Sequence, residues 1–235
     1  MVKKELIKRS PLRIFEKAMH GGLSAGEICV LASRKGVGKT ACLVHIATDK
    51  LMQGKRVIHV SFAAKVDHIV RWYEDIFKEI AKKKDLENAV DIHDEIIKNR
   101  VIMNFSQEGV KTEQVLRSLE LMIRDGGFAA ETIIFDGYEL SKASREDLLA
   151  IQGFAKRINL EVWFSASLKA PEPVFDENGV PTELLPYLSD ISVLITLRYV
   201  GKYVHIYLIK DRETFHTEDM QLILDPKTLL VTEEE

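Results

Sequence analysis

Short, nearly continuous apolar runs alternate along this chain with longer stretches of helical period. The runs EICVLA (27–32), RVIHVSF (56–62), RVIMNF (100–105), TIIFD (132–136) and EVWFSAS (161–167) are rich in β-branched and aromatic residues, the pattern of strands buried on both faces. Between them the spacing predicts helices near 39–53, 66–84, 88–99, 112–125 and 144–158. Strands and helices in alternation imply βαβ units and a mostly parallel sheet. Within VRWYEDIFKEI, Val70, Tyr73, Ile76, Phe77 and Ile80 recur at helical spacing and predict a core-facing stripe. Trp72 falls off that stripe and is a candidate interface residue, with simple packing as the alternative.

The last part of the chain changes character. ISVLITLRYVGKYVHIYLIKDR (191–212) holds two strands about a Gly201-Lys202 turn, and MQLILD with TLLV reads as a further hairpin. The fold class expected is therefore α/β, with a mostly parallel central sheet flanked by helices and extended by C-terminal antiparallel strands. The segment 169–187, KAPEPVFDENGVPTELLPY, carries four of the six prolines and is expected to be the longest loop. Residues 1–10 are expected to be a flexible start, and 1–235 to be a single domain.

Composition narrows the partners. With 46% apolar residues in 235, the chain can bury one sizeable core. A formal charge of -3 with 29% charged residues argues against a broad polyanion-binding face, so nucleic acid is not an expected partner. Cys29 and Cys42 lie in apolar runs without CxxC spacing and read as free core thiols. The seven histidines show neither HxxxH nor HExxH spacing. His45 and His59 fall in core-like stretches and are expected to pack rather than to bind metal. No run reaches the roughly 18 apolar residues of a membrane span, and MVKKELIKRSPL has no signal-like apolar segment. No membrane insertion and a cytoplasmic location are expected.

The chemistry concentrates in SRKGVGKT (33–40), set between a predicted strand and a predicted helix. A triphosphate is polyanionic, and a glycine loop entering a helix N-terminus offers converging N–H groups, a favourable dipole and a place for a lysine. Gly36 and Gly38 permit positive φ and close approach, Lys39 would reach the β and γ phosphates, and Thr40 would ligate Mg²⁺ through its hydroxyl. Ser33, Arg34, Lys35, Gly36, Val37, Gly38, Lys39, Thr40 and Ala41 are the candidate nucleotide contacts. Against the Walker A spacing GxxxxGK(S/T), Ser33 replaces the first glycine. The change is tolerable because that position only begins the turn. Asp136, closing TIIFD, is the candidate metal-site carboxylate, expected to act on the outer shell of the Mg²⁺ from the neighbouring strand.

The lead-in SPLRIFEKAMHGGLSAGE (10–27) resembles that of the RecA-like and especially KaiC-like P-loop ATPases, where a short helix and a GGL..G turn precede the loop strand. The resemblance runs from about residue 10 to 231, with the lead-in, the loop and the tripeptide KDR its more specific parts. It implies a RecA-like P-loop NTPase fold and ATP as the nucleotide. It also implies that Lys210 and Arg212, matching a KxR motif on a late strand, reach the γ phosphate of a neighbouring subunit, as arginine fingers do. A ring or filament of identical chains follows from that role. Lys39, Asp136, Lys210 and Arg212 are then the catalytic candidates, and Ser165 and Ser167 are candidate γ-phosphate sensors.

In the same family the second core strand ends in one or two glutamates, one of which polarises the attacking water. Here the stretch reads VSFAAKVD, with Ala63 and Ala64 in those places. Alanine neither accepts a proton nor orients water, and such catalysis contributes ~10²–10⁴-fold. Asp67 and Glu139 are the acids that could substitute, though each is expected to face solvent. Arg34 stands where ParA- and MinD-type loops carry a signature lysine, but those families lack the GGL lead-in. The loops GYELSKASRED and KAPEPVFDENGVPTE are mixed in charge and acidic, which disfavours single-stranded DNA binding. The expectation is a MgATP-binding protein with weak or no hydrolysis, serving nucleotide-dependent assembly or signalling with a protein partner. An active oligomeric ATPase using a displaced acid and Lys210/Arg212 in trans is the alternative, and a DNA-binding recombinase relative a more distant one.

Overall fold

The computed structural model describes residues 7–63, 67–83, 86, 89–106 and 108–234, apart from the side chains of 217 and 218. Each buried apolar run forms a strand: β1 (Ile28–Arg34), β2 (Val57–Ser61), β3 (Arg100–Asn104), β4 (Thr132–Asp136) and β5 (Glu161–Leu168). The helices are α1 (Leu12–Ala18), α2 (Lys39–Met52), α3 (Asp67–Lys83), α4 (Ala89–Lys98), α5 (Thr112–Arg124) and α6 (Arg145–Ile158). The later strands are β6 (Val193–Val200), β7 (Tyr203–Asp211), β8 (Thr214–Leu224) and β9 (Val231–Glu233). All nine form one sheet in the order β3-β2-β4-β5-β1-β6-β7-β8-β9. Pairing is parallel from β3 through β6 and antiparallel from β6 to β9. The architecture is thus α/β, a Rossmann-like parallel core flanked by helices and extended by antiparallel strands.

Two local expectations shift. The α3 stripe begins at Ile69, which is buried with Tyr73, Ile76, Phe77 and Ile80, whereas Val70 is exposed. Val70 stands at the margin of that face, and Ile69, a full turn before Tyr73, lies nearer its centre. Trp72 is half-buried and packs against the same core. Strand β8 starts at Thr214, well before the MQLILD run. Its polar first half gives no apolar signal, and it joins the sheet because the turn at Arg212, at φ +54°, returns the chain directly onto β7. The 169–187 segment contains a short 3₁₀ helix, Thr182–Tyr187, and Asp176 accepts the backbone N–H groups of Asn178 and Val180.

The sheet separates two apolar clusters. One, with Val115, Leu119, Leu148, Ile151 and Phe154, is covered by α5 and α6. The other surrounds α2, in which every residue except Thr40 is buried. α2 touches β1, β5, β4 and β2 on one side and α3 and α4 on another. A helix enclosed in this way must satisfy its own polar side chains, because water cannot. Asp49 pairs with Arg13 of α1 and accepts from Gln53 at 2.7 Å. Lys50 pairs with Glu161 of β5, which also accepts from Thr132 Oγ1 at 2.6 Å. Thr48 donates to the Val44 carbonyl at 2.8 Å. His45 Nδ1 accepts the backbone N–H of Val231, on β9, at 2.9 Å.

That last bond fixes His45 as a neutral ring. Burial, with the Lys83 charge adding to it, pushes its pKa down from 6.5 to about 4. Between those values the unfolded chain binds a proton that the folded chain refuses, so stability is full above about pH 6.5 and falls as pH drops toward 4. The loss is on the order of 3 kcal/mol. Replacing His45 with Gln, whose amide oxygen also accepts from Val231, is expected to flatten the stability curve between pH 6.5 and 4. Urea melts of both proteins across that range check it.

Candidate functional site

Strand β1 delivers the chain into the glycine loop, and α2 carries it away. Gly36 and Gly38 take φ of +84° and +118°, conformations that favour glycine. At Gly38 a side chain is disfavoured by the positive φ and also because a Cβ there would lie 2.2 Å from Leu224 Cδ2 at the end of β8, which would have to shift. Arg34, Lys35 and Gly36 form the exposed crest, while Ser33, Val37, Lys39 and Ala41 are buried. Ser33 is not among the positive-φ residues, so a glycine is not required at the head of the loop. Its hydroxyl and carbonyl instead lie 3.3 and 3.0 Å from Lys39 Nζ.

Lys39 folds back over the loop, its ammonium donating to the carbonyls of Ser33 and Arg34 at 3.0 and 2.9 Å. Burial brings its pKa down from 10.5 to about 8, against the pull of Asp136. The loop thus presents an ammonium bound to carbonyl oxygens, with the N-terminus of α2 beneath it. Arg34 reaches outward and donates from Nη1 to the Pro171 carbonyl at 2.9 Å, joining the crest to the 169–187 segment.

Asp136 ends β4, and β4 is not the neighbour of β1, which corrects the expected adjacency: β5 lies between them. The two ends still meet. To reach β2, α2 must pass the positions of β5 and β4, so Thr40 in its first turn comes up beneath the carboxylate. Thr40 Oγ1 donates to Asp136 Oδ2 at 2.9 Å. Ser165, on the interposed β5, accepts the Gly137 N–H at 2.7 Å and hydrogen-bonds Asp136. Ser167 is exposed, opposite Ser33 in the β1–β5 register.

A further polar side chain borders the site. His59, wholly buried on β2, sets Nε2 3.8 Å from Asp136 Oδ2, while its Nδ1 lies 3.1 Å from the Tyr73 hydroxyl. The Arg100 guanidinium covers the Tyr73 ring at 4.4 Å. Burial raises the Asp136 pKa, but His59, Ser165 and Thr40 together outweigh it and hold the carboxyl below its ordinary value. Its signal in the sequence is a histidine at the centre of RVIHVSF, a run that is apolar around it until Ser61.

The end of β2 lies beside the end of β4. Ser61 pairs with Asp136, and the Phe62 N–H donates to the Asp136 carbonyl at 2.9 Å. Ala63 follows at this edge, its N–H held by Ser61 Oγ at 3.2 Å. Ala64 lies outside the described residues. Of the acids that could substitute, Asp67 is exposed at the start of α3, and Glu139 is paired with Lys142.

Lys210 and Arg212 lie at the other end of the sheet, beside the start of β1 and β6. Lys210 is buried and donates to the carbonyls of Leu188 and Ile191 at 2.9 and 2.5 Å. Arg212 forks onto Glu27 at 2.9 and 2.8 Å, and donates to the carbonyls of Met19 and Gly22 at 3.1 and 2.9 Å and to Asp211. Both cations therefore serve bonds within their own chain. Arg212 also explains why KDR and the GGL lead-in occur together, since it clasps that turn against the first strand.

The thiols of Cys29 and Cys42 are unpaired and buried, and burial pushes the Cys42 thiol up to about 12. Among the described residues no helix is long and apolar enough to cross a membrane. The combined donor set, an ammonium, a helix N-terminus and a hydroxyl–carboxylate pair, suits an oxyanion accompanied by a hard divalent cation. No family model matches the chain, and no curated protein is similar to it in sequence.

Proposed function

We propose that the chain is a RecA- and KaiC-like MgATP-binding protein with weak or no hydrolysis, which serves nucleotide-dependent assembly or signalling. The observation that carries this reading is the contact of Thr40 with Asp136 across the interposed β5, beside the buried Lys39 ammonium. Two sequence-distant oxygen groups converge there on one point, and a positive charge faces them from the loop. In this reading Lys39 exchanges its loop carbonyls for phosphate oxygens, and the backbone of 34–40 cradles the phosphates. Thr40 and Asp136 hold Mg²⁺, which neutralises phosphate charge when bound. Ser165 and His59 keep the Asp136 carboxylate aimed and ionised. Ala63 supplies no group able to take a proton from water, so binding is retained and turnover is not.

Purified protein with MgATP is expected to retain nucleotide and release almost no phosphate, and Lys39→Ala to abolish retention. Turnover at the rate of ordinary P-loop ATPases overturns the binding-only reading, and failure of the wild type to retain nucleotide overturns both parts. Restoring the acid, as Ala63→Glu or Ala64→Glu, is expected to raise phosphate release by ~10²-fold or more in at least one variant; no gain from either removes the support for the alanine argument. For His59→Phe, the Mg²⁺ concentration needed for half-maximal nucleotide retention is expected to rise by roughly tenfold, with retention in Mg²⁺-free buffer unchanged. An unchanged Mg²⁺ requirement would mean that His59 only packs.

A further inference from the structure

We propose that His205, Asp219 and Glu234 form a binding site for a borderline divalent cation of the Zn²⁺ type. The site lies on the outer antiparallel strands, apart from the glycine loop, and its ligands come from β7, β8 and the residue after β9. A break in the β7–β8 pairing assembles them. His205 opposes Ile223, but Tyr207 opposes Asp219, so β8 spends four residues where β7 spends two. Gln221, in the middle of the slip, takes φ +53°, and its carbonyl accepts the Glu234 N–H at 3.0 Å. The slip draws Asp219 back beside His205, and the Gln221 bond brings Glu234 to the same place.

His205 Nδ1 then lies 2.9 Å from Asp219 Oδ2 and 3.6 Å from Glu234 Oε2, and all three donor atoms fall within 4.8 Å of one another. A four-coordinate ion with ligands at about 2.0–2.2 Å spaces its donor atoms about 3.4 Å apart. The two measured separations bracket that spacing. Asp219 is aimed from behind, since its Oδ1 accepts the Gln221 N–H at 2.9 Å, the outer-shell support that fixes a metal-binding carboxylate.

Charge gives the independent reason. A single nitrogen faces two carboxylates, and the imidazole side chain is only 8% exposed. A neutral ring has one N–H to offer from Nδ1, enough for Asp219 or Glu234 but not for both. A divalent cation satisfies the two carboxylates and takes the imidazole as its nitrogen ligand. One nitrogen with two carboxylates selects Zn²⁺, Mn²⁺ or Co²⁺ over Mg²⁺, which prefers oxygen and water. Three protein ligands leave a position for water. An ion bound there would clip the three outer strands together, and through Val231 it would bear on His45 of α2.

The test is calorimetric titration of the chelator-stripped full chain with Zn²⁺, in excess Mg²⁺ and without nucleotide. Saturable one-to-one binding is expected, weakened roughly tenfold or more in both His205→Ala and Glu234→Gln, together with a Zn²⁺-dependent rise in melting temperature that both variants lose. Glu234 is exposed, so its variant reports even if His205→Ala fails to fold. Absence of saturable binding, equal competition by Mg²⁺, or unchanged affinity in Glu234→Gln overturns the proposal and leaves a His205–Asp219 hydrogen bond with Glu234 nearby.

Discussion

Enclosing α2 on nearly every side is the constraint from which the rest of the structure follows. A helix at the surface can leave its polar side chains to water. Here Thr48, Asp49, Lys50 and His45 are all buried, and an unpaired charge in that setting costs about 3–5 kcal/mol. Each group is therefore tied to a definite partner, and most of those partners sit on different elements: α1 through Arg13, β5 through Glu161 and β9 through the Val231 backbone. The polar residues of α2 fix where its neighbours can stand, while the apolar clusters on the two faces of the sheet supply the gain from burial.

The same helix sets the geometry of the loop. Its first turn must emerge under the C-terminal edge of the sheet, and its path from β1 to β2 crosses beneath β5 and β4. Thr40 is carried to Asp136 by that path. Ser165 and His59 approach the same carboxylate from β5 and β2, so the pair is held from three strands and one helix. At the far end of the sheet Lys210 and Arg212 answer buried carbonyls and Glu27, which makes the lead-in turn and the late KDR segment one structural unit.

Most strands were legible because β-branched runs of the right length have few other uses, and the loop was legible because Gly36 and Gly38 sit where positive φ is needed. Neighbour relations were not. A continuous apolar run says that a strand is covered on both faces but not which strand lies beside it, so the place of β5 between β1 and β4 had no sequence signal. The contact of His59 with Asp136 is hidden because one histidine in an apolar run carries no information about what it faces. By spacing alone Ser33 is a tolerated substitution, whereas in the fold its hydroxyl is an acceptor for Lys39. The depth of α2 was hidden for the opposite reason: Asp49 and Lys50 look like surface residues until Arg13 and Glu161 are placed beside them.

The contact between Gly38 and Leu224 bears on how the molecule comes to exist in order of synthesis. The loop is made early, at residues 33–40, yet β1 finds its partners only at 162–168 and 193–196, and Gly38 meets its neighbour only at 224. Contacts of such sequence separation form slowly, because a long stretch of chain must close before they are rewarded. On the ribosome, a nascent chain carrying the complete loop sequence still lacks the strands that shape it. The loop therefore acquires its final form only after the chain as far as residue 224 has been made.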